Sequence, residues 1–159
     1  MADILLNRLK DQKVVKGERC WERDQLSNLA IRALEESGRN DEVIPLCERE
    51  ARLTKSYERL VRRMMKAGRL DDADRYIAHG VAATYQDLPG IASSLRRLRT
   101  QIRLEHKDWA SVLTYHVCEF VESPSLADYE EVKKAAAKMK RWPVARSLLL
   151  EYLQSGTLP

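Results

Sequence analysis

The sequence predicts an all-α protein built from αα-hairpin repeats, and three observations support this prediction. The 159 residues include only 6 Gly and 5 Pro and are rich in Ala, Leu, Arg, Glu and Lys, which favour helix. Apolar residues recur at helical spacing along most of the chain. The same break between two helical stretches occurs four times, at intervals of 30, 37 and 35 residues with a mean of 34. We therefore expect stacked helix pairs rather than a β-sandwich or barrel.

The four breaks share one arrangement, in which a helix ends, the chain turns tightly and a new helix starts. They align on Val43, Ala73, Ala110 and Ala145. Gly38 and Gly68 can take the left-handed backbone conformation that ends a helix. Two residues before each aligned position stands an acid or a proline that suits a first helical turn: Asp41, Asp71, Asp108 and Pro143. Each break is therefore predicted to join the two helices of one hairpin.

The predicted elements follow the chain in order. A weakly amphipathic stretch with Ile4, Leu5 and Leu9 predicts a leading helix within residues 1–21, and the sequence VVKGERC at 14–20 predicts a connector after it. A single repeat domain of about four helix pairs is expected over 22–155, followed by a tail at 156–159. The predicted helices are 22–37, 42–53, 56–67, 71–84, 91–105, 109–121, 126–139 and 143–154.

Apolar residues of each second helix lie at offsets 0, 3, 4 and 8 from the aligned position, which places them on one face. The four stripes are Val43/Leu46/Cys47/Ala51, Ala73/Tyr76/Ile77/Val81, Ala110/Leu113/Thr114/Cys118 and Ala145/Leu148/Leu149/Leu153. Stacked neighbours must bury these stripes together. On this interpretation Cys47 and Cys118 are small core hydrophobes. Trp109 and Trp142 are predicted to seal the ends of helix pairs, or else to anchor a partner.

Charge and composition exclude several classes of protein. There are 28 Lys and Arg against 24 Asp and Glu, a net charge of +4, and the 44% apolar content is typical of a folded chain. No apolar run approaches the roughly 20 residues of a membrane span, and the first residues lack the apolar core of a secretory signal. Three widely spaced cysteines do not make a disulfide framework and favour a reducing compartment. We expect a cytoplasmic monomer or homodimer.

The segment GRLDDADRYI resembles the glycine, acidic pair and alanine of tetratricopeptide repeats. Tyr57 and Leu60 stand where that family keeps an aromatic residue and a leucine, and the mean period of 34 agrees. The third unit departs from the pattern because Glu105 replaces the glycine, and no unit carries the full signature. The resemblance implies a divergent right-handed superhelix in which the free face of each first helix lines a concave groove.

A narrower resemblance is to the helical C-terminal region of bacterial SWIM zinc-finger proteins. It is carried by LCEREA, by SYERLVRRMMKAGRLDDADRYIAHGV and by LPGIASSLRRLR, and it covers roughly residues 25–155. The zinc signature of that family, Cys-x-Cys with a later Cys-x-His, is absent from this sequence. The resemblance therefore implies a fragment or stand-alone relative without the metal module, and no metal function is transferred.

The sequence carries no recognised catalytic, nucleotide-binding or metal-binding motif. GxSxG, GxxxxGK[ST], GxGxxG, HExxH and CxxC are all absent, so no strained serine, phosphate cradle or paired zinc ligands are predicted. His79, His106 and His116 stand on different predicted helices and are interpreted as surface or packing residues. We therefore expect a protein without enzymatic activity, cofactor or metal.

Basic residues recur on the first helix of each pair. At eleven, seven and four residues before the aligned position, ten of twelve positions are Lys or Arg, against about two expected from the chain average. The residues of this basic stripe that we predict to bind a partner are Arg62, Lys66, Arg69, Arg99, Arg103, Lys134, Lys138 and Arg141. Two interpretations stay open: a solvated face stabilised by the helix dipole, or a ladder that attracts acidic groups.

Four functional hypotheses follow from these patterns. The first is a non-enzymatic scaffold that binds an acidic or extended protein along a basic concave face. The second is a nucleic-acid accessory domain, although the stripe has few aromatic residues for base stacking. The third is an enzyme, which no convergent set of residues supports. The fourth is a purely architectural role, with apolar faces at the two ends left for a neighbour: Leu5, Leu9, Leu148, Leu149 and Leu153.

Overall fold

The regular secondary structure of the described residues is entirely helical, which confirms the all-α prediction. The computed structural model describes residues 1–12 and 20–157. The predicted connector at 14–20 lies outside the described residues except for Cys20, as do the last two residues of the predicted tail. The chain divides into two compact units, Met1–Arg99 and Thr100–Pro159. The single repeat domain over 22–155 stays a prediction.

The leading helix α1 spans Ala2–Asp11. The other eight α-helices of the described ranges are α2 (Trp21–Glu36), α3 (Val43–Thr54), α4 (Tyr57–Lys66), α5 (Leu70–Thr84), α6 (Pro89–Glu105), α7 (Trp109–Glu122), α8 (Leu126–Lys138) and α9 (Trp142–Ser155). A short 3₁₀ turn, Asn40–Glu42, precedes α3. Every predicted helix is present and each end lies within two residues of its predicted position. The helical spacing of apolar residues and the break signals were sufficient to locate them.

Four chain reversals use the same hydrogen-bonding pattern, which caps one helix and starts the next. In each, a backbone N–H donates to the carbonyl five residues earlier, at 2.8 or 2.9 Å; the pairs are Arg39 to Leu34, Arg69 to Met64, Asp108 to Arg103, and Arg141 to Ala136. This is the Schellman arrangement, and it requires a left-handed residue just before the donor. Gly38 (φ 76°) and Gly68 (φ 72°) fill that position as predicted.

In the other two reversals a lysine takes the left-handed conformation. Lys107 has φ 56° and Lys140 has φ 57°. In the third reversal this residue lies two positions after Glu105, the residue that the alignment placed opposite the glycines. A left-handed residue other than glycine brings its Cβ close to the following carbonyl oxygen, which costs about 1–2 kcal/mol. The third and fourth reversals, at the ends of α6 and α8, therefore carry backbone strain that the first two reversals avoid.

The third apolar stripe is displaced from its predicted register. Ala110 and Cys118, predicted on the buried face, are exposed, while Val112 and Phe120 are 3% and 2% exposed. The displacement is two residues, which matches the later position of Lys107 in that break. The prediction of Cys118 as a core residue was therefore wrong, because the alignment placed Glu105 at the left-handed position of that break, where the structure has Lys107. Cys47 is buried as predicted.

Each unit has its own apolar core. In the first unit α1 packs on α2, α2 on α3, α3 on α4, and α4 on α5. Tyr57, Leu60 and Met64 of α4 are buried there together with the stripe that begins at Val43. In the second unit Phe120, Val132 and Leu149 form the core of α7, α8 and α9; the partly buried residues packed against it are Leu113, Val117, Tyr129, Trp142, Ala145 and Tyr152. Trp142 therefore packs against this core.

A buried ion pair between Arg23 and Glu50 links α2 to α3, and the same arginine also contacts the end of α1. The Arg23 side chain, on a residue 5% exposed, donates from Nε to Glu50 Oε2 at 2.7 Å and from Nη2 to Glu50 Oε1 at 3.0 Å. Its Nη1 donates to the carbonyl oxygens of Leu9 (3.0 Å) and Gln12 (2.9 Å), near the end of α1. One guanidinium on α2 thus satisfies a fully buried carboxylate on α3 and two carbonyls that end α1.

Replacing Glu50 with Gln should destabilise the protein by about 3–5 kcal/mol, because it leaves the buried Arg23 guanidinium without its countercharge. The double variant Arg23→Met/Glu50→Leu leaves no unpaired buried charge but removes the donor to the Leu9 and Gln12 carbonyls, so it should lose about 1–3 kcal/mol. Urea unfolding followed by circular dichroism measures both, with Glu36→Gln on the exposed face of α2 as the control. A loss for Glu50→Gln no larger than that of the control would contradict the assignment.

Replacing Lys140 with Gly should stabilise the protein by about 1 kcal/mol, since glycine takes the left-handed conformation without steric cost. The same change at Lys133, inside α8, should destabilise it by about 1 kcal/mol. Thermal unfolding of the two variants beside the parent tests this directly. If Lys140→Gly lowers the unfolding temperature, the strain at this helix end has been assigned wrongly.

Candidate binding surfaces

The eight predicted stripe residues divide evenly between the two units. Arg62 and Lys66 lie on α4, Arg69 is the N-cap of α5, and Arg99 lies on α6, all in the first unit. The residues of the second unit are Arg103 on α6, Lys134 and Lys138 on α8, and Arg141 at the N-cap of α9. All are exposed except Arg103, which is half-buried. Their surroundings differ.

Arg62 lies in a groove of about 440 Å³ between α2 and α4, called here the α2–α4 groove. Its basic side chains are Lys55, Arg59, Arg62 and Arg63. Its other lining residues are Asp24, Asn28, Ser56, Glu58 and Ile91. Four cations and two carboxylates therefore line one depression, so that this groove is electropositive relative to the protein as a whole.

Arg59 forms the floor of the α2–α4 groove and links the two helices. Its Nη1 donates to Asn28 Oδ1 at 2.8 Å, and its Nη2 donates to Ser27 Oγ at 2.8 Å and lies 3.1 Å from Asp24 Oδ1. The side chain is 13% exposed, and its buried Nε has no acceptor among the described residues. This guanidinium is fixed by packing and hydrogen bonds, which makes the floor of the groove rigid.

Arg62 stands at the rim of the same groove and is held only by its own helix. Its Nη2 and Nε donate to Glu58 Oε1 at 2.6 and 3.0 Å, and 59% of its side chain is exposed. Such an exposed pair one turn apart contributes about 0.3–0.5 kcal/mol, so an incoming carboxylate can replace Glu58 at little cost. Lys66 is exposed one turn further along α4 and has no ion pair within the described ranges.

Arg69 has a structural explanation that needs no partner. Its guanidinium lies 2.6 Å from Asp72 and 4.0 Å from Glu48. Arg75 also donates to Asp72, and these two arginines lower the pKa of the Asp72 carboxyl. Arg39, at the equivalent position before α3, pairs with Glu42 at 2.6 Å in the same way. An arginine that precedes a helix and pairs with a carboxylate three residues on helps to fix the helix start.

Arg99 lies in a different depression from Arg62. This α5–α6 groove has a volume of about 590 Å³, and its lining residues are Ile77, Ala78, Val81, Ala82, Tyr85, Gln86, Arg96 and Arg99. Arg99 donates from Nε and Nη2 to the two carboxylate oxygens of Asp74, at 2.8 and 3.3 Å. Within the first unit, the structure therefore does not bring all the predicted basic residues to one groove.

Gly80 sets the close approach of α5 to α6 below this second groove. A Cβ at this position would lie 2.6 Å from Leu95 Cδ1 and 2.8 Å from Tyr57 Cγ. Both distances are well inside van der Waals contact, and Leu95 and Tyr57 are themselves buried. The sequence analysis did not identify this role of Gly80, which falls in the middle of a predicted helix.

Two of the four stripe residues in the second unit, Lys134 and Lys138, have a local contact. Lys134 donates to Glu131 at 2.6 Å, which raises the pKa of the lysine. The Lys138 ammonium lies 5.7 Å from the centroid of the Trp109 ring, within range of a cation–π interaction. Arg141 precedes α9, where the residue three positions on is Val144, so the carboxylate that serves Arg39 and Arg69 is missing.

Sequence reasoning missed three of the four cations in the α2–α4 groove: Lys55, Arg59 and Arg63. Arg59 and Arg63 lie one turn apart on α4 and contact residues about 30 positions earlier; the Arg63 guanidinium lies 3.1 Å from Glu35. Nothing in the local pattern pairs α4 with α2. Lys55 lies between α3 and α4 in a left-handed conformation, with φ 61°. This feature is visible in the backbone of the structure and not in the sequence.

No cluster of three or more His, Cys, Asp or Glu side chains suited to a metal ion occurs within residues 1–12 and 20–157. Burial raises the pKa of the Cys47 thiol, which suits a packing residue. His116 is half-buried on α7, its ring centroid is 5.2 Å from that of Tyr115, and burial lowers its pKa. Packing against neighbouring residues explains the surroundings of both Cys47 and His116.

The apolar faces predicted at the two ends are partly buried. Leu9 and Leu149 belong to the cores, whereas Leu148 and Leu153 are exposed on α9, with 38% and 53% of each residue accessible. Leu126 at the start of α8 is also exposed and lies with Leu153 along a small apolar depression. None of the helices in the described ranges is both long enough and apolar enough to cross a membrane.

No protein-family model, curated protein or solved structure matches this chain.

Replacing Gly80 with Ala should destabilise the protein by about 1–3 kcal/mol, because the added Cβ would collide with Tyr57 of α4 and Leu95 of α6. The sign of the change in unfolding free energy is diagnostic, since Gly→Ala at a solvent-exposed helix position stabilises a protein by about 1 kcal/mol. Chemical unfolding measures the effect, and Ala78→Gly, at an exposed position of α5, is the control for helix propensity. A Gly80→Ala variant as stable as the parent would show that the helices are not in close contact here.

Proposed function

We propose that the protein is a non-enzymatic scaffold that binds an acidic, extended segment of another protein in the α2–α4 groove. The observation that carries the proposal is the convergence of Lys55, Arg59, Arg62 and Arg63 on this one depression. Arginine guanidinium groups donate two parallel hydrogen bonds to a carboxylate, and a rigid helical frame limits the entropy lost on binding. Exposed cations at the rim would also speed the encounter with an acidic chain.

The groove combines a fixed floor with an exchangeable rim. Arg59 is held by three groups of α2, so it fixes the shape of the floor, and the exposed cations at the rim would meet the ligand's carboxylates. Arg62 has only the weak helical pair with Glu58, which an incoming carboxylate can displace. Lys66 extends the same exposed face by one turn. A segment that lies along α4 would therefore meet successive cations, a pattern that suits side-chain carboxylates spaced along an extended peptide.

The proposal includes a divergent tetratricopeptide-like repeat, with the first helix of each pair facing the partner. The shared Schellman reversals, at intervals of 30, 39 and 33 residues between the left-handed positions, support a repeated unit. In such a stack α2 and α4 are successive first helices, and the side chains that join them lie where the concave face is expected. A right-handed superhelix and a relation to the SWIM-associated helical region are part of this proposal.

Charge reversal at Arg62 tests the function. The probe is a fluorescein-labelled peptide of alternating glutamate and serine, about ten residues long, followed by fluorescence anisotropy. Arg62→Glu should weaken binding about fivefold or more, and Lys66→Glu should act in the same direction. Raising the salt from about 50 to about 200 mM should weaken binding to the parent protein.

Arg75→Glu is the matched control. Arg75 is also exposed, with 73% of its side chain accessible, and it pairs with Asp72 on its own helix, so reversal there creates the same kind of repulsion outside the groove. The Arg75→Glu variant should bind the peptide with an affinity within about twofold of that of the parent. If Arg62→Glu and Arg75→Glu lose the same affinity for the peptide, the proposal that the peptide binds in the α2–α4 groove is overturned, and a general charge effect explains the loss. Tighter, strongly salt-dependent binding of a single-stranded DNA of about 20 nucleotides would instead favour the nucleic-acid hypothesis.

A further inference from the structure

A depression separate from both grooves lies along one face of α3. It has a volume of about 480 Å³ and is called here the α3–α5 groove. Its lining residues are Pro45, Glu48, Arg49, Arg52 and Leu53 of α3, together with Tyr76 of α5. The five α3 residues lie at offsets 0, 3, 4, 7 and 8, which places them on one side of that helix. One helical face and one tyrosine therefore form the depression.

Arg52 presents a guanidinium that no other group of the described residues engages. It is exposed on α3, and within residues 1–12 and 20–157 it makes no hydrogen bond or ion pair. Arg62 and Arg99, by contrast, each donate to a neighbouring carboxylate. A guanidinium has five N–H donors in a planar fork, which matches the oxygens of a carboxylate or a phosphate. A ligand can therefore bind Arg52 without breaking an ion pair of the protein.

Arg49 adds a second cation next to Arg52. It lies one turn earlier on the same face, so the two Cβ atoms are about 5–6 Å apart. Its Nε donates to Glu50 Oε1 at 3.0 Å, and 47% of its side chain is exposed. Buried Arg23 already neutralises the Glu50 carboxylate, so Arg49 has no countercharge of its own. The two Nη groups of Arg49 make no hydrogen bond to the described residues and remain as donors for a ligand.

The carboxylates around this groove do not balance its arginines. Glu48 lines the groove, and its Oε1 lies 4.0 Å from Arg69. Arg69 in turn shares the Asp72 carboxylate with Arg75. Together with the two groove arginines, four guanidinium groups stand against two carboxylates, which leaves a surplus of two positive charges. A phosphate monoester carries a charge of about −1.5 to −2 at pH 7 and would balance this surplus.

Apolar groups and one hydroxyl complete the lining. Pro45 is exposed and Leu53 is half-buried, and they stand eight residues apart at the two ends of the α3 face, a separation of about 12 Å along the helix. Tyr76 is half-buried, and its hydroxyl makes no hydrogen bond to the described residues. A phenolic hydroxyl can donate to an anion. Apolar surface beside cations suits an anion that is carried on an apolar stem.

We propose that the α3–α5 groove binds a phosphorylated side chain of a partner protein, with the phosphate on Arg49 and Arg52 and its stem against Leu53 and Tyr76. The guanidinium groups donate charge-assisted hydrogen bonds to the phosphate oxygens. A phosphate suits the site better than a carboxylate, because its three acceptor oxygens and larger charge engage two guanidinium groups at once. This site shares no lining residue with the α2–α4 groove and is independent of it.

The test uses the full chain and a fluorescein-labelled peptide of serine and glycine with one central phosphotyrosine, followed by fluorescence anisotropy. Phosphotyrosine is the probe because its ring can pack against the apolar lining. The parent protein should bind this peptide about tenfold or more tightly than the same peptide with tyrosine or glutamate at the centre. Arg49→Gln and Arg52→Gln should each weaken binding about fivefold or more, and Tyr76→Phe about threefold.

Arg32→Gln is the matched control. Arg32 is also exposed and makes no ion pair among the described residues, but it lies on α2 and does not line the groove. This variant should bind the phosphotyrosine peptide with an affinity within about twofold of that of the parent. Arg62→Glu should also stay within about twofold, since Arg62 belongs to the α2–α4 groove.

The inference is overturned if the tyrosine or glutamate peptide binds as tightly as the phosphotyrosine peptide, if Arg32→Gln loses as much affinity as Arg52→Gln, or if the phosphotyrosine peptide does not bind. A loss that follows Arg62→Glu and neither Arg49→Gln nor Arg52→Gln would place the phosphate in the α2–α4 groove and likewise overturn it. Tighter binding of a single-stranded DNA of about 20 nucleotides that depends on Arg49 and Arg52 would assign the groove to nucleic acid instead. None of these results decides the α2–α4 groove, which is tested with the glutamate–serine peptide.

Discussion

The helix pairs depend on one backbone constraint, the left-handed residue that reverses the chain between two apolar stripes. A helix that ends in the Schellman arrangement satisfies its last carbonyl groups and turns back within a few residues, so that the next helix can cover its apolar face. Gly38 and Gly68 meet this constraint without steric cost, whereas Lys107 and Lys140 meet it with strain. Burial of the stripes compensates for that strain, since apolar area removed from water is the main favourable term in folding.

Arginine has two kinds of role in this chain, and the difference is one of burial. Arg23 and Arg59 are largely buried, where each satisfies several acceptors from neighbouring helices and fixes how those helices pack. Arg62 and Arg75 are exposed and pair with a carboxylate on their own helix. The buried arginines therefore contribute to the arrangement of the helices, and the exposed ones remain available to exchange partners with a ligand. The α2–α4 groove contains both kinds, with Arg59 at the floor and Arg62 at the rim.

Most of the fold could be predicted because its signals are local. Helix ends were found within two residues from turn residues and from apolar spacing, both of which act over one or two helical turns. The third predicted repeat shows the limit, since the left-handed residue of its break is Lys107 rather than the aligned Glu105, which moves the register by two residues and buries Phe120 instead of Cys118. Arg62 and Arg99, at equivalent predicted positions, line separate grooves because α6 presents its face to α5.

The sequence by itself determined the helical class, the order and ends of the helices, the glycines that reverse the chain and the basic character of the exposed faces. Tertiary structure decided which of those basic residues lie together. Arg23 meets Glu50 across 27 positions, and Arg59 meets Ser27 across 32. The physical reason is range: helix formation is governed by contacts within about four residues, whereas a groove is made by side chains from helices that meet only after the chain has folded.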